Sequence, residues 1–185
     1  MTFQYFFFDT YIGYFLQAMP IAIIVAVAWY LLRYRKDQEI STSQKIWGTV
    51  FVCYLAGLVS LVVLLDVMGI AWYKLFYHMD PGRSVGWFAG NFNFLPDFWR
   101  HINIEVIGNF LAFIPLGFLY PLSRPQTSLK KTILVGLLCT VVIEVVQPIF
   151  GRAFDVNDII LNTLGVMASS TVFFIIQKAI RRRAS

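Results

Sequence analysis

Three stretches of this apolar chain carry polar residues at helical spacing. His101, Glu105 and Asn109 fall at i, i+4 and i+8; Glu144 and Gln147 at i and i+3; Asp155, Asp158, Asn162 and Gly165 at i, i+3, i+7 and i+10. Residues three or four apart share a helix face, so each stretch presents one polar stripe. Arg152, the cation in the connection that also holds Asp155 and Asp158, is placed to pair with a carboxylate or to receive an anion.

Glu144 is the hardest of these to explain by packing. An acid at mid-bilayer costs about 2.5 to 3.5 kcal/mol on insertion scales, so one that remains is a functional-site candidate. Its nearest partners in sequence are Gln147 and Arg152. In a polar cavity open to the outside it could act as a general acid or base, with Arg152 holding an anionic group and Asn109 and Asn162 orienting a substrate. The other residues have structural explanations beside the functional ones. Asp155 resembles an N-cap, with Asp158 near N3, where the helix dipole favours an acid. Asn109 and Asn162 would also serve as interhelical hydrogen-bond partners, worth about 0.6 kcal/mol each. His101 reads as a wet amphipathic side chain at an interface.

Several chemistries are disfavoured. No Ser or Cys at this level has an evident base beside it, which argues against nucleophilic catalysis. Glu105, Glu144, Asp155 and Asp158 are the hard ligands a divalent cation takes, but they form no compact motif, so no metal is expected. Glycine-rich phosphate loops and His-Glu-x-x-His are absent, and no cofactor is expected. Cys53 and Cys139 fall near the middles of apolar runs and read as packing residues.

The elements that must position these residues follow from composition. The 185 residues are 58% apolar and 14% charged, with mean hydropathy +0.69, where a soluble domain carries about 25% charge. A soluble globule and a disordered chain are both excluded. Stretches without charge run over Thr10–Leu32, Ile46–Leu65, Val106–Ser123, Thr132–Phe150 (broken only by Glu144) and Ile159–Gln177. Each approaches the roughly 20 residues that cross a bilayer as a helix. The expectation is an all-α polytopic membrane protein, a bundle of five transmembrane helices forming one membrane domain over residues 1–185.

Eleven Lys and Arg lie in the first and third connections and the tail, against four elsewhere. The positive-inside rule then places the N-terminus outside and the C-terminus in the cytoplasm. The first span reads as a retained helix rather than a cleaved signal. The net charge of +5 suits topology and anchoring to anionic headgroups, and nucleic acid is not an expected partner. Ten aromatic rings crowd the connection from Asp66 to Asn103, which is expected to lie in the outer interface. Gly69–Met79 is expected to form a short amphipathic helix there, stopped by Asp80-Pro81-Gly82.

The strings Asn93-Phe94-Leu95-Pro96, Asn109 to Gly117, Glu144-Val145-Val146-Gln147 and Arg152-Ala153-Phe154-Asp155-Val156-Asn157-Asp158, continuing through Asn162 and Gly165, resemble the VanZ-like family. The resemblance spans residues 93–165, and its last block is the most specific. Asp97 stands where the family commonly has an aromatic after the Pro. The resemblance implies a bacterial cytoplasmic-membrane protein, some of whose relatives reduce susceptibility to teicoplanin. Its motif positions include Asn109, Glu144, Gln147, Arg152, Asp155, Asp158 and Asn162.

Two functions are consistent with these residues. One is a binding module for an amphiphile at the outer leaflet: a membrane lipid, a lipid-linked envelope component or a lipoglycopeptide. The alternative is an enzyme acting on a lipid or envelope precursor, with Glu144 as acid or base. A pure scaffold would use the stripes as interhelical glue, and the small face from Gly165 to Ser169 suits close helix packing. The sequence leaves the oligomeric state open.

Overall fold

The computed structural model describes residues 2–35, 37, 39–82, 84–100 and 104–184. Among these residues the chain forms seven α-helices: α1 (Phe3–Phe8), α2 (Tyr11–Arg33), α3 (Thr42–Val62), α4 (Leu65–Tyr77), α5 (Ile104–Ser123), α6 (Leu129–Val146) and α7 (Val156–Ala184). Helices α2, α3, α5 and α7, and α6 with the turn that follows it, make five segments long and apolar enough to cross a membrane. The chain is a multi-pass membrane protein.

The burial pattern suits a lipid solvent. Leu32, Ile24 and Ile12 are 89%, 68% and 62% exposed, whereas Gln17, Thr132, Thr140, Glu144 and Ser170 are almost wholly buried. The apolar faces turn outward, and the scarce polar side chains of the spans turn inward, away from lipid.

At α3 and α6 capping sets the helix start, which lies ahead of the charge-free run. Ser41 and Gln44 form a reciprocal capping box, so α3 begins at Thr42 rather than Ile46. Ser128 accepts from the Lys131 N–H at 3.3 Å, so α6 begins at Leu129 rather than Thr132. The short helix of the long connection also starts early, because α3 stops at Val62 and α4 begins at Leu65. It ends at Tyr77, where His78 adopts a left-handed conformation at φ 52°. The Asp80-Pro81-Gly82 turn follows. There the Gly82 N–H donates to Asp80 Oδ1 at 3.0 Å, and Lys74 Nζ lies 3.2 Å from Asp80 Oδ2. These two contacts hold the Asp80 carboxyl below its ordinary value.

Helix α5 packs against α3 and most closely against α7. Leu58, Val63, Phe113, Leu116 and Val166, with Ile143 of α6, form the buried core. The α5–α7 contact depends on two glycines. A Cβ on Gly117 would lie 2.1 Å from Ser169 Oγ and 2.7 Å from the Ser170 nitrogen, and one on Gly165 would lie 2.3 Å from the Phe110 carbonyl oxygen. Ser169 and Ser170 donate to the Gly165 and Val166 carbonyls at 2.7 and 2.6 Å, so the small face carries hydroxyls without leaving them unpaired.

Helix α1 lies on α4 through rings: Phe7 meets Trp72 and Phe76, and Phe8 meets Tyr73. Gln17 of α2 fastens this layer. Its Nε2 donates to the Phe7 carbonyl at 2.6 Å, and its backbone carbonyl accepts from Trp72 Nε1 at 3.1 Å.

Candidate functional site

One end of the bundle gathers the start of α2, the α3–α4 junction, the starts of α5 and α7 and the end of α6. Between them lies a cavity of about 860 Å³ whose lining includes Asn109, Gln147, Arg152, Asp155 and Asp158. Five of the seven motif positions named from the sequence therefore meet in one space. Asp66, Asp97 and Glu105 also line it. His101, the first member of the α5 stripe, lies outside the described residues.

Helix α6 ends at Val146, and Gln147–Phe150 continue as a 3-10 turn with Pro148 at its start, where no N–H is needed. Gln147 is 4% exposed, and its Nε2 donates to the Val62 carbonyl at 2.8 Å. That carbonyl belongs to the last turn of α3, which has no intrahelical donor. The Gln147 Oε1 is buried without a partner among the described residues. The chain then reverses at Gly151, whose φ of 83° and whose approach to Gly86 both exclude a side chain, since a Cβ would lie 2.7 Å from the Gly86 carbonyl oxygen.

After the reversal, Phe154–Asp155 (β2) pairs in parallel with Phe92–Asn93 (β1), in the register Phe92 to Phe154 and Asn93 to Asp155. Asp155 then caps α7. Its Oδ1 accepts from the Asn157 N–H at 2.8 Å and also from Asn93 Nδ2 at 3.1 Å. Capping explains the residue type, and the Asn93 bond adds a second task. Asp158, at the third helical position, accepts from Asn109 Nδ2 and so joins α7 to α5 across the cavity floor.

Glu144 and Asn162 do not line the cavity. Glu144 is 1% exposed, and its partner is neither the Gln147 nor the Arg152 side chain; its Oε2 accepts from the Asp155 N–H at 3.0 Å. Asn162 is 3% exposed and donates through Nδ2 to Thr140 Oγ1 at 2.9 Å, joining α7 to α6. Helix α7 begins at Val156 rather than Ile159, so Asn162 lies about 9 Å in from the helix start, deeper than the charge-free run implied. Arg152 is exposed at the cavity, and among the described residues it forms no ion pair within 4.0 Å.

Asn157 was not singled out from spacing, yet it organises the mouth. Its Oδ1 accepts from the Asp97 and Phe98 N–H groups at 2.8 and 3.1 Å, and its Nδ2 donates to Asp97 Oδ1 at 2.9 Å. The segment Phe92–Phe98 is thus strapped to the start of α7. The available signal was the run Asp155-Val156-Asn157-Asp158, which holds more polar side chains than one cap requires.

Comparison with curated proteins and with solved structures finds no match. The family model described as VanZ/LLP1 matches residues 20–177, and so takes in all of α3 and most of α2 besides the residue 93–165 region. By that match, with the five spans and the cavity motifs inside it, the chain belongs to the VanZ/LLP1 family.

Proposed function

We propose that the cavity receives the headgroup of an amphiphile at the outer leaflet of a bacterial cytoplasmic membrane, with the N-terminus outside and the C-terminus in the cytoplasm. The amphiphile is a membrane lipid, a lipid-linked envelope component or a lipoglycopeptide, and the cellular effect is reduced teicoplanin susceptibility. The observation that carries this reading is the cavity itself: polar and charged at its lining, and bounded by a connection rich in exposed rings, including Phe92, Phe94 and Trp99. Such rings favour the headgroup level of a bilayer. The place of Glu144 behind the floor supports binding over acid–base catalysis, because a general acid or base must come within hydrogen-bond reach of the reacting group.

The test is expression in a teicoplanin-susceptible bacterium of the wild type and of an Arg152→Gln, Asp158→Asn double variant at matched membrane levels. The wild type should raise the inhibitory concentration of teicoplanin, and the variant should not. A variant as protective as the wild type would overturn the assignment of the cavity.

A further inference from the structure

The acceptors of this cavity outnumber its donors. Asp66, Asp97 and Glu105 are exposed around it and Asp158 is half-buried, and the four come from α4, the long connection, α5 and α7. Among the described residues none of them forms an ion pair within 4.0 Å. Asp97 and Asp158 each accept one side-chain bond through Oδ1, from Asn157 and Asn109, and their Oδ2 atoms accept none from the described residues.

A second and independent observation lies in the wall. Gln147 is more than nine-tenths buried and lines the cavity; its Nε2 is committed to Val62, and its Oε1 has no donor. A buried acceptor left without a donor is costly, and of the five buried side-chain oxygens without a partner among the described residues, this one belongs to a residue that lines the cavity. Arg152 is the one cation among the described lining residues.

We infer that the cavity takes a zwitterionic headgroup that carries a primary ammonium beside a phosphate, the chemistry of an ethanolamine phospholipid. The ammonium sits among the carboxylates and the Gln147 carbonyl oxygen, and the phosphate sits on Arg152. This rests on the reading of the cavity as a headgroup site. A primary ammonium offers three N–H donors and no acceptor, which complements a lining of acceptors. The Arg152 guanidinium offers a planar fork to phosphate oxygens. Choline brings the same charge without a donor, and a glycerol headgroup brings no cation, so both are poorer guests.

The full chain, purified in mild detergent and stripped of lipid, is tested by native mass spectrometry and thermal melting. The probes are phosphatidylethanolamine, phosphatidylcholine and phosphatidylglycerol of matched acyl chains, and soluble phosphoethanolamine. Phosphatidylethanolamine should be retained and should raise the Tm, with the other two lipids weaker by about tenfold or more, the loss expected when charge-assisted hydrogen bonds go unmade. Asp66→Asn with Glu105→Gln, both at exposed positions, should weaken phosphatidylethanolamine to a similar degree without lowering the Tm of the lipid-free protein. A response to phosphoethanolamine equal to that of the lipid would assign the guest to a soluble source, and a response to the lipid alone would assign it to the membrane. Retention of phosphatidylcholine or phosphatidylglycerol equal to phosphatidylethanolamine would overturn the inference and leave the headgroup site standing. Retention of none of the probes would overturn the inference as well; if lipoglycopeptide and lipid-linked precursors were also not retained, the headgroup site would fall with it.

Discussion

The Asp155 N–H donates to Glu144 Oε2 over 3.0 Å, fastening the last turn of α6 to the residue that caps α7. The same Asp155 carries the Asn93 bond that closes the strap, so Glu144 fixes the position of the cavity wall without touching the space.

That geometry separates the charge of Glu144 from its shape. Glu144→Gln keeps an oxygen for the Asp155 N–H and should unfold within about 1 kcal/mol of the wild type, with teicoplanin protection retained. Glu144→Ala leaves that N–H unpaired and opens a hole, and should cost about 2–5 kcal/mol, read as a lower Tm and a lower membrane level. If Glu144→Gln folds normally but loses all protection, the carboxylate is chemical and the enzyme reading returns.

Asn157 holds residues 97 and 98 through two backbone amides and one carboxylate oxygen. Asn157→Ala should release the strap, with hydrogen exchange at the Asp97 and Phe98 amides faster by about tenfold or more, the equivalent of about 1.4 kcal/mol of lost protection. Asn157→Asp keeps the acceptor for both amides but sets a second carboxylate against Asp97, so its exchange should fall between the two. Unchanged exchange in Asn157→Ala would mean that the β1–β2 pairing alone carries the strap.

The five spans are legible in the sequence because charges are excluded from lipid, and each charge-free run marks a stretch of lipid-immersed helix. The helix ends are not, because they depend on caps such as Ser41 and Ser128 that lie beyond the apolar run. Spacing put Asn109 and Asp158 on the polar stripes of two different helices, and a side-chain hydrogen bond joins those stripes. It could not tell that Glu144 and Asn162 turn toward backbone and Thr140 rather than toward open space, since period fixes a shared face and not what faces it. The β1–β2 pairing was invisible for another reason: with two residues in each strand, it is too short for any periodic signal, and its partners lie 62 positions apart. Asn157 faces a partner 60 positions away, which no local pattern reports.

The close approach of α5 and α7 predicts a contrast among glycines. Gly117→Ala places a methyl against the Ser170 nitrogen and the Val166 carbonyl oxygen at 2.7 and 2.8 Å, both backbone atoms that cannot rotate aside. It should cost about 1–3 kcal/mol, as overpacking does. Replacing Ser169 by Gly in the same chain should not restore stability, because those backbone atoms remain. Gly108→Ala has nothing within 4 Å, and should be neutral or stabilising by about 0.5–1 kcal/mol through helix propensity. Melting of the purified variants checks the order, and equal melting of Gly117→Ala and the wild type would mean that the helices separate freely.

The cavity also reports the orientation proposed from eleven Lys and Arg on one side against four on the other. Cys53 and Cys139 are free thiols and must first be replaced. In that background, Asp66→Cys and Asn109→Cys place a thiol at the cavity and should react with a membrane-impermeant reagent added outside the cell. Glu144→Cys and Asn162→Cys, at positions 1% and 3% exposed, should react more slowly by about tenfold or more, because reaction there waits for local opening. Reporter fusions after Lys45 and Lys131 should read cytoplasmic. Labelling of Asp66→Cys only from the cytoplasmic face would reverse the orientation while leaving the cavity intact. Labelling of Glu144→Cys as fast as Asp66→Cys would instead show a floor open to water, and would put the Glu144 carboxylate back within reach of a bound substrate.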